Sequence, residues 1–317
     1  MKVQTRSNLT AGLIAGGLLL ANGIVSAGQD TRPTFRAGVS RVSLNVVVKD
    51  NRGRAIKNLA DSDFQVFDQG RAVQINDFRV GEEPVSIAIL VDTSGSMLIG
   101  ARLATSRQAL DLLLAQFRPG DEAALFTFDT TLREIVPFST ELSRLQTGFE
   151  RANPYGSTSL HDAIAAAASR LSARPSARRA VVAITDGLDN SSQLTAAAAS
   201  GAASSSDVPV YVLAIANSAL PVEASAIVVD PVEGGGVARL DELTARTGGA
   251  SFAAEVPGET SQAVRQILSD LRSGYILGFT PEDVPGWHPL TVRVSRKDAR
   301  VRTRAGFWMS APAINPR

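Results

Sequence analysis

A chain of 317 residues is long for one small domain and about right for two. Hydrophobic residues make up 44% and charged residues 20%, so a buried core is within reach and global disorder is disfavoured. A net charge of +1 with no long basic run argues against nucleic-acid binding, and the absence of cysteine leaves stability to packing without disulfides.

The N-terminus reads as an export signal over residues 1–27. Lys2 and Arg6 supply positive charge, Leu9 to Ile24 is mostly apolar, and Val25-Ser26-Ala27 fits the small-residue cleavage rule. The rival reading is an uncleaved membrane anchor, which the glycines and the marginal length disfavour. No cysteine precedes Gly28 to carry a lipid, and no later segment is long and apolar enough to span a bilayer. The expected destination is the periplasm or the outside of a cell. Residues 28–38 read as a linker.

A β segment is expected over 39–83. Val42, Leu44, Val46 and Val48 recur with period two, a strand with one buried face. Phe64-Gln65-Val66-Phe67 and Val73-Gln74-Ile75, joined through Asp68-Gln69-Gly70-Arg71, read as a hairpin. From 84 to 272 the texture is strand–helix alternation. Strands are expected at Val85–Val91, Ala123–Phe128, Ala180–Thr185 and Val208–Ala216, with short ones at Ile135-Val136 and Ser251-Phe252. Helices are expected at Ala101–Phe117, Leu160–Leu171, Leu194–Ser204, Val237–Thr247 and Ser261–Leu271. This is the pattern of an α/β fold with a doubly wound, mainly parallel sheet.

Over 273–312 the β texture returns, with strands at Tyr275–Phe279, Leu290–Val294 and Val301–Phe307. β segments on both flanks predict that they pair into one sandwich-like module, with the α/β unit inserted between them. Asn217–Gly236 and Pro281–His288 read as loops. Arg293, Arg296, Lys297, Arg300, Arg302 and Arg304 are expected on the solvated face of an edge hairpin.

The sharpest local signal is Val91-Asp92-Thr93-Ser94-Gly95-Ser96-Met97, directly after the first buried strand. Ligand sites collect at the C-terminal ends of strands in such sheets. Asp92, Ser94 and Ser96 are spaced to converge from one tight loop. A carboxylate with two hydroxyls is a hard, all-oxygen set suited to Mg²⁺, Mn²⁺ or Ca²⁺ and not to zinc. Gly156-Ser157-Thr158-Ser159-Leu160 and Ile184-Thr185-Asp186-Gly187 bring Thr158 and Asp186 to the same sheet edge.

These three segments resemble the metal-ion-dependent adhesion site of von Willebrand factor A domains: D-x-S-x-S, a threonine in a G-x-T loop, and the aspartate of T-D-G. The match falls on Asp92, Ser94, Ser96, Thr158 and Asp186, in that family's order. The wider arrangement is similar to a bacterial von Willebrand factor A-related family. In it a V-x-D-x-x-G-x-x-V segment comes before the domain and G-Y-x-L-G-[FY] after it. Here Val48 to Ile56 matches the first with one residue inserted and Ile for Val, and Gly274-Tyr275-Ile276-Leu277-Gly278-Phe279 matches the second. The resemblance implies a divalent ion left under-neutralised, with a position open to an Asp or Glu carboxylate from a protein or peptide partner. It implies binding and not catalysis.

Competing readings attach to several residues. Asp92 and Thr158 could cap helices, and Asp186 could be a turn residue. Asp189 and Asn190 read as a solvated loop, with the rim of the site as the alternative; Asp129 reads as turn chemistry, with a supporting place behind the site as the alternative; and Asp162 reads as a loop support or cap. His161 falls on a polar helix face, and no G-x-S-x-G elbow accompanies the two histidines. A phosphate-ester hydrolase would usually need an acidic residue where Ser94 stands. A structural component that makes its contacts through the β module is the other alternative.

Overall fold

The computed structural model describes residues 41–309 except 82, 151, 216–235 and 255, with 236–239 as backbone only. The expected signal 1–27, the linker 28–38, the loop from Asn217 up to Gly236 and the segment end at 310–312 therefore lie outside the described residues.

The described residues begin with four strands, β1 (Val42–Lys49), β2 (Phe64–Asp68), β3 (Arg71–Val73) and β4 (Ile75–Arg79). The α/β unit follows as β5 (Val85–Asp92), α1 (Arg102–Leu114), β6 (Glu122–Phe128), β7 (Leu132–Ser139), α2 (Leu142–Glu150), α3 (Leu160–Ser172), β8 (Arg178–Thr185), α4 (Ala196–Ser205), β9 (Val210–Ala214), α5 (Gly236–Thr247), β10 (Ala250–Ala253) and α6 (Pro257–Ser273). Four strands close the chain, β11 (Tyr275–Phe279), β12 (Gly286–Val294), β13 (Arg300–Arg302) and β14 (Gly306–Met309).

The central sheet has the order β10-β9-β8-β5-β6-β7, parallel except for the last pair. Every residue of β5 is buried, as its mostly apolar sequence, broken only by Ser86 and the terminal Asp92, predicts for a strand covered on both faces. Ile87, Ile89 and Val91 face a core built with Leu110, Leu113, Ile267 and Leu268 from α1 and α6. Ala88 and Leu90 face the opposite core, with Ile164, Ala199 and Leu243 from α3, α4 and α5. Period-two alternation in the strand thus meets the 3.6-residue period of the helices on each side. Among the described residues no helix is long and apolar enough to cross a membrane.

The flanking strands form two four-stranded sheets, β13-β1-β11-β4 and β14-β12-β2-β3. β1 pairs antiparallel with β11, and β2 with β12, so each sheet joins the start of the chain to its end. Their inner faces share one core containing Leu44, Val46, Val66, Tyr275, Leu277 and Phe307. The Tyr275 ring lies 4.9 Å from Phe64, and its hydroxyl donates to Ile56 O at 2.8 Å. The α/β unit is inserted between the two halves of this module.

Several expectations need correction. The hairpin around Gln69-Gly70 forms, with φ of 50° and 80° at those two positions. Its second arm ends at Val73, however, and Ile75 begins β4 in the other sheet. Val301–Phe307 is not one strand but two, β13 and β14, in different sheets. The chain crosses between them at Thr303–Ala305, where the Ala305 N–H donates to Arg246 O at 2.9 Å. The Pro281–His288 stretch is partly strand, because β12 starts at Gly286. Helix α2 had no counterpart in the sequence reading, although Leu145 and Phe149 pack its buried side.

The arginine string is not a uniformly solvated face. Arg304 is 5% exposed and its guanidinium donates to Ser204 O and to Ser43 O. Arg302 reaches the carboxylate of Asp270 at the end of α6. Both positions alternate as an edge strand would, but the side that looked solvated packs against the α/β unit.

Candidate functional site

β5 is central, with β6 on one side and β8 on the other. Chain order reverses across it, which leaves a crevice at the C-terminal ends of the strands. Asp92 is the last residue of β5 and is fully buried. Its Oδ1 accepts the Ser94 N–H at 2.8 Å, and its Oδ2 accepts the Thr185 hydroxyl at 2.6 Å. The loop then makes a single 3-10 turn, Gly95–Leu98, anchored by the buried Met97 side chain. This holds the hydroxyls of Ser94 and Ser96 3.0 Å apart.

The loop carrying Thr158 lies across the first. Gly95 N–H donates to Gly156 O at 2.9 Å, Tyr155 N–H to Thr93 O at 2.8 Å, and Ser159 N–H to Asp129 O at 2.7 Å. Gly156 has φ of +86°, a conformation that side chains other than glycine rarely adopt. Thr158 is 2% exposed. Its N–H donates to Asn190 Oδ1 at 2.8 Å, and its carbonyl accepts the N–H groups of Asn190 and Ser191. Asn190 and Asp189, expected in a solvated loop, therefore fasten the second and third segments together. Asp189 Oδ2 accepts the His161 N–H at 2.9 Å.

Asp186 follows β8 directly, with its side chain 2% exposed. Its Oδ1 accepts Leu188 N–H at 3.2 Å, and its Oδ2 accepts Arg102 Nη1 at 2.8 Å. Burial pushes the Asp92 carboxyl up to about 6; the hydrogen bonds from Thr185 and Ser94 oppose this, and the charge of Asp186 adds to it. Among the described residues no three His, Cys, Asp or Glu side chains gather as a metal-holding group. The cluster at this edge is instead two carboxylates with hydroxyls, a hard oxygen set.

The other candidates fall elsewhere. Asp162 accepts the N–H groups of Gln193 and Leu194, both at 2.9 Å, and so supports a loop. Asp129 accepts Thr131 N–H and Arg133 Nη1, which is turn chemistry as expected. His161 Nδ1 sits 3.2 Å from both Leu194 O and Asp189 Oδ2. Thr185 and Arg102 touch the expected site residues and were not singled out from the sequence. Thr185 had a signal, since it precedes Asp186 at the end of a buried strand.

Residues 87–188 match the family model for the von Willebrand factor type A domain. No curated protein matches the chain. Among solved structures, the chain is similar to an aerotolerance-related membrane protein from Bacteroides fragilis carrying multiple mutations to serines. That match is 22% identical, covers 58% of this chain and 98% of the other, and has a TM-score of 0.48. BatB from Bacteroides thetaiotaomicron is 20% identical over 59% of this chain and 98% of its own, with a TM-score of 0.49. A von Willebrand factor type A protein from Catenulispora acidiphila is 12% identical, with 87% and 75% covered and a TM-score of 0.49. The matched segment runs from within β5 to just past β8 of the six-stranded, mainly parallel sheet, and it is this part of the chain that is identified as a von Willebrand factor type A domain.

Proposed function

We propose that this protein is an exported, metal-dependent binding module of the adhesion type. In this reading Asp92, Ser94, Ser96, Thr158 and Asp186 hold a divalent cation, Mg²⁺ or else Mn²⁺ or Ca²⁺, and the partner supplies an Asp or Glu carboxylate. The observation that carries the reading is the electrostatic state of Asp92. It is a fully buried carboxylate whose described hydrogen-bond partners are a backbone N–H and a hydroxyl, both neutral. Burying an anion without a cation is costly, and here the cost appears as a carboxyl pushed up to about 6.

The donor chemistry fits a hard divalent ion. Once bound, such an ion supplies a concentrated positive charge that selects anionic oxygen. The chain's own residues do the rest. The Ser94 N–H and the Thr185 hydroxyl orient the Asp92 carboxylate. Asn190 fixes the loop of Thr158, and Met97 seats the loop of Ser94 and Ser96 in the core. Positioning of this kind suits recognition. Export is supported by the residue pattern from Lys2 to Ala27.

A second reading places the contacts on the β-sandwich. It is favoured by Trp287 and Trp308, 38% and 58% exposed with ring centroids 5.9 Å apart on paired strands. The test is a pull-down of envelope and secreted proteins on the chain from Gly28 onward, in Mg²⁺ and then in EDTA, with Asp92→Ala as control. The proposal expects a partner lost in EDTA and lost with the variant. A partner retained in both moves the interface to the sandwich and overturns the metal-dependent reading.

A further inference from the structure

The candidate site contains a cation of its own. Arg102 is the first residue of α1, six positions beyond Ser96. Its Nη1 donates to Asp186 Oδ2 at 2.8 Å and to the carbonyl of Ser96 at 3.1 Å. One guanidinium nitrogen thus bridges the first and third segments of the site. The pair is well enclosed, with the arginine side chain 14% exposed and that of Asp186 2% exposed.

Two features show that this placement is poor for the arginine itself. A positive charge at a helix N-terminus opposes the helix dipole, and no acidic residue lies in the first turn of α1 to offset it. The Nε of Arg102 is buried without a hydrogen-bond partner. A guanidinium in its preferred setting uses its fork of donors together on a carboxylate. Asp186 and the Ser96 carbonyl are what hold Arg102 here.

We infer that Arg102 is an internal counter-ion for Asp186, which a divalent cation has to displace, so that this residue sets the affinity of the site. The inference rests on the ion-binding reading of Asp92, Ser94, Ser96, Thr158 and Asp186. Its physical basis is competition for one carboxylate. A guanidinium on Asp186 Oδ2 offsets part of the negative charge that attracts a divalent ion, and it repels that ion at close range. The bridge to Ser96 O also ties the two segments together before any ion arrives. A site so arranged is weak when bare and stays closed in the absence of the ion. The free guanidinium, once released, stands at the rim.

The test is calorimetric titration of Mn²⁺ and of Mg²⁺ into the EDTA-stripped, dialysed chain, comparing wild type, Arg102→Gln, Arg102→Lys and Asp92→Ala. Removing the competitor is expected to tighten ion binding by about five- to tenfold in Arg102→Gln. Arg102→Lys, which keeps the charge but loses the fork, is expected to fall between. Thermal melting gives a readout without titration. In EDTA, Arg102→Gln melts lower than wild type because Asp186 has lost its cation, and Mn²⁺ raises its Tm by more. Equal or weaker affinity in both arginine variants, with native circular dichroism, overturns the role of Arg102 alone. Absence of saturable binding in wild type and in both arginine variants overturns the ion-binding reading and this inference with it.

Discussion

At the end of the central sheet where the β-sandwich docks, the carboxylate of Asp270 is 1% exposed and is met by Lys49 Nζ at 2.8 Å and by Arg302. At the opposite end Asp92 is equally buried, and its described partners are a backbone N–H and a hydroxyl. Both cations on Asp270 come from the β-sandwich, Lys49 from β1 and Arg302 from β13, while Asp270 comes from α6. Asp207 at that same end has Arg304 Nε at 3.7 Å and Asn45 at 3.1 Å. Asp270 at the interface between the two parts of the molecule is thus paired with cations, whereas the described hydrogen-bond partners of Asp92 at the loop edge are neutral. The same fold thus neutralises one buried acid with cations and leaves another with neutral hydrogen-bond donors.

This contrast can be broken most forcefully at the docking end. Asp270→Ala leaves Lys49 and Arg302 facing each other without their anion, and is expected to cost about 3–5 kcal/mol. Urea denaturation reads this directly, and a loss below about 1 kcal/mol would mean that the interface does not depend on the pair. At the loop edge the sign reverses. In EDTA near neutral pH, Asp92→Asn is expected to be at least as stable as wild type, with a gain of up to about 2 kcal/mol, because it removes a charge that burial disfavours. A clear loss of stability in the same denaturation experiment would show that Asp92 is already compensated.

A smaller effect comes from inside the sandwich. His288 is 1% exposed, with Nδ1 2.9 Å from Asp68 Oδ1 and Nε2 2.6 Å from Val284 O. Burial opposes its charge, but the carbonyl of Val284 and the carboxylates of Asp68 and Glu282 outweigh this and raise its pKa. A raised histidine pKa supplies stability that is complete below about pH 6.5 and is lost as pH rises through the folded value. Melting curves from about pH 5.5 to 8.5 should therefore slope downward more steeply for wild type than for His288→Gln. Parallel slopes would remove the histidine from the account.

The site was legible to the extent that it is local. Asp92, Ser94 and Ser96 share one turn, and Thr158 and Asp186 each sit beside an element whose type the sequence announces. What surrounds them was not legible. The contacts of Arg102 with Asp186 and of Thr185 with Asp92 span 84 and 93 residues, and no periodicity connects such positions. Its place soon after Asp186 puts Asn190 near the rim, but the bond from Thr158 N–H to its side chain spans 32 residues and has no local signal.

The sequence by itself determined the strand–helix alternation, because a mostly apolar run such as Val85–Val91 asks for cover on both faces of its strand and the helical patterns between the strands supply it. It also determined the order in which the oxygen-bearing side chains of the candidate site occur, Asp92, Ser94, Ser96, Thr158 and Asp186. Only the tertiary structure decided that Arg302 and Arg304 face inward, that Val301 and Phe307 belong to different sheets, and that Arg102 lies in the site. For the three arginines the physical reason is the same. A charged residue on an alternating strand or at a helix start reads as solvated, and it is buried only when folding brings an anion or a carbonyl from a distant part of the chain to meet it.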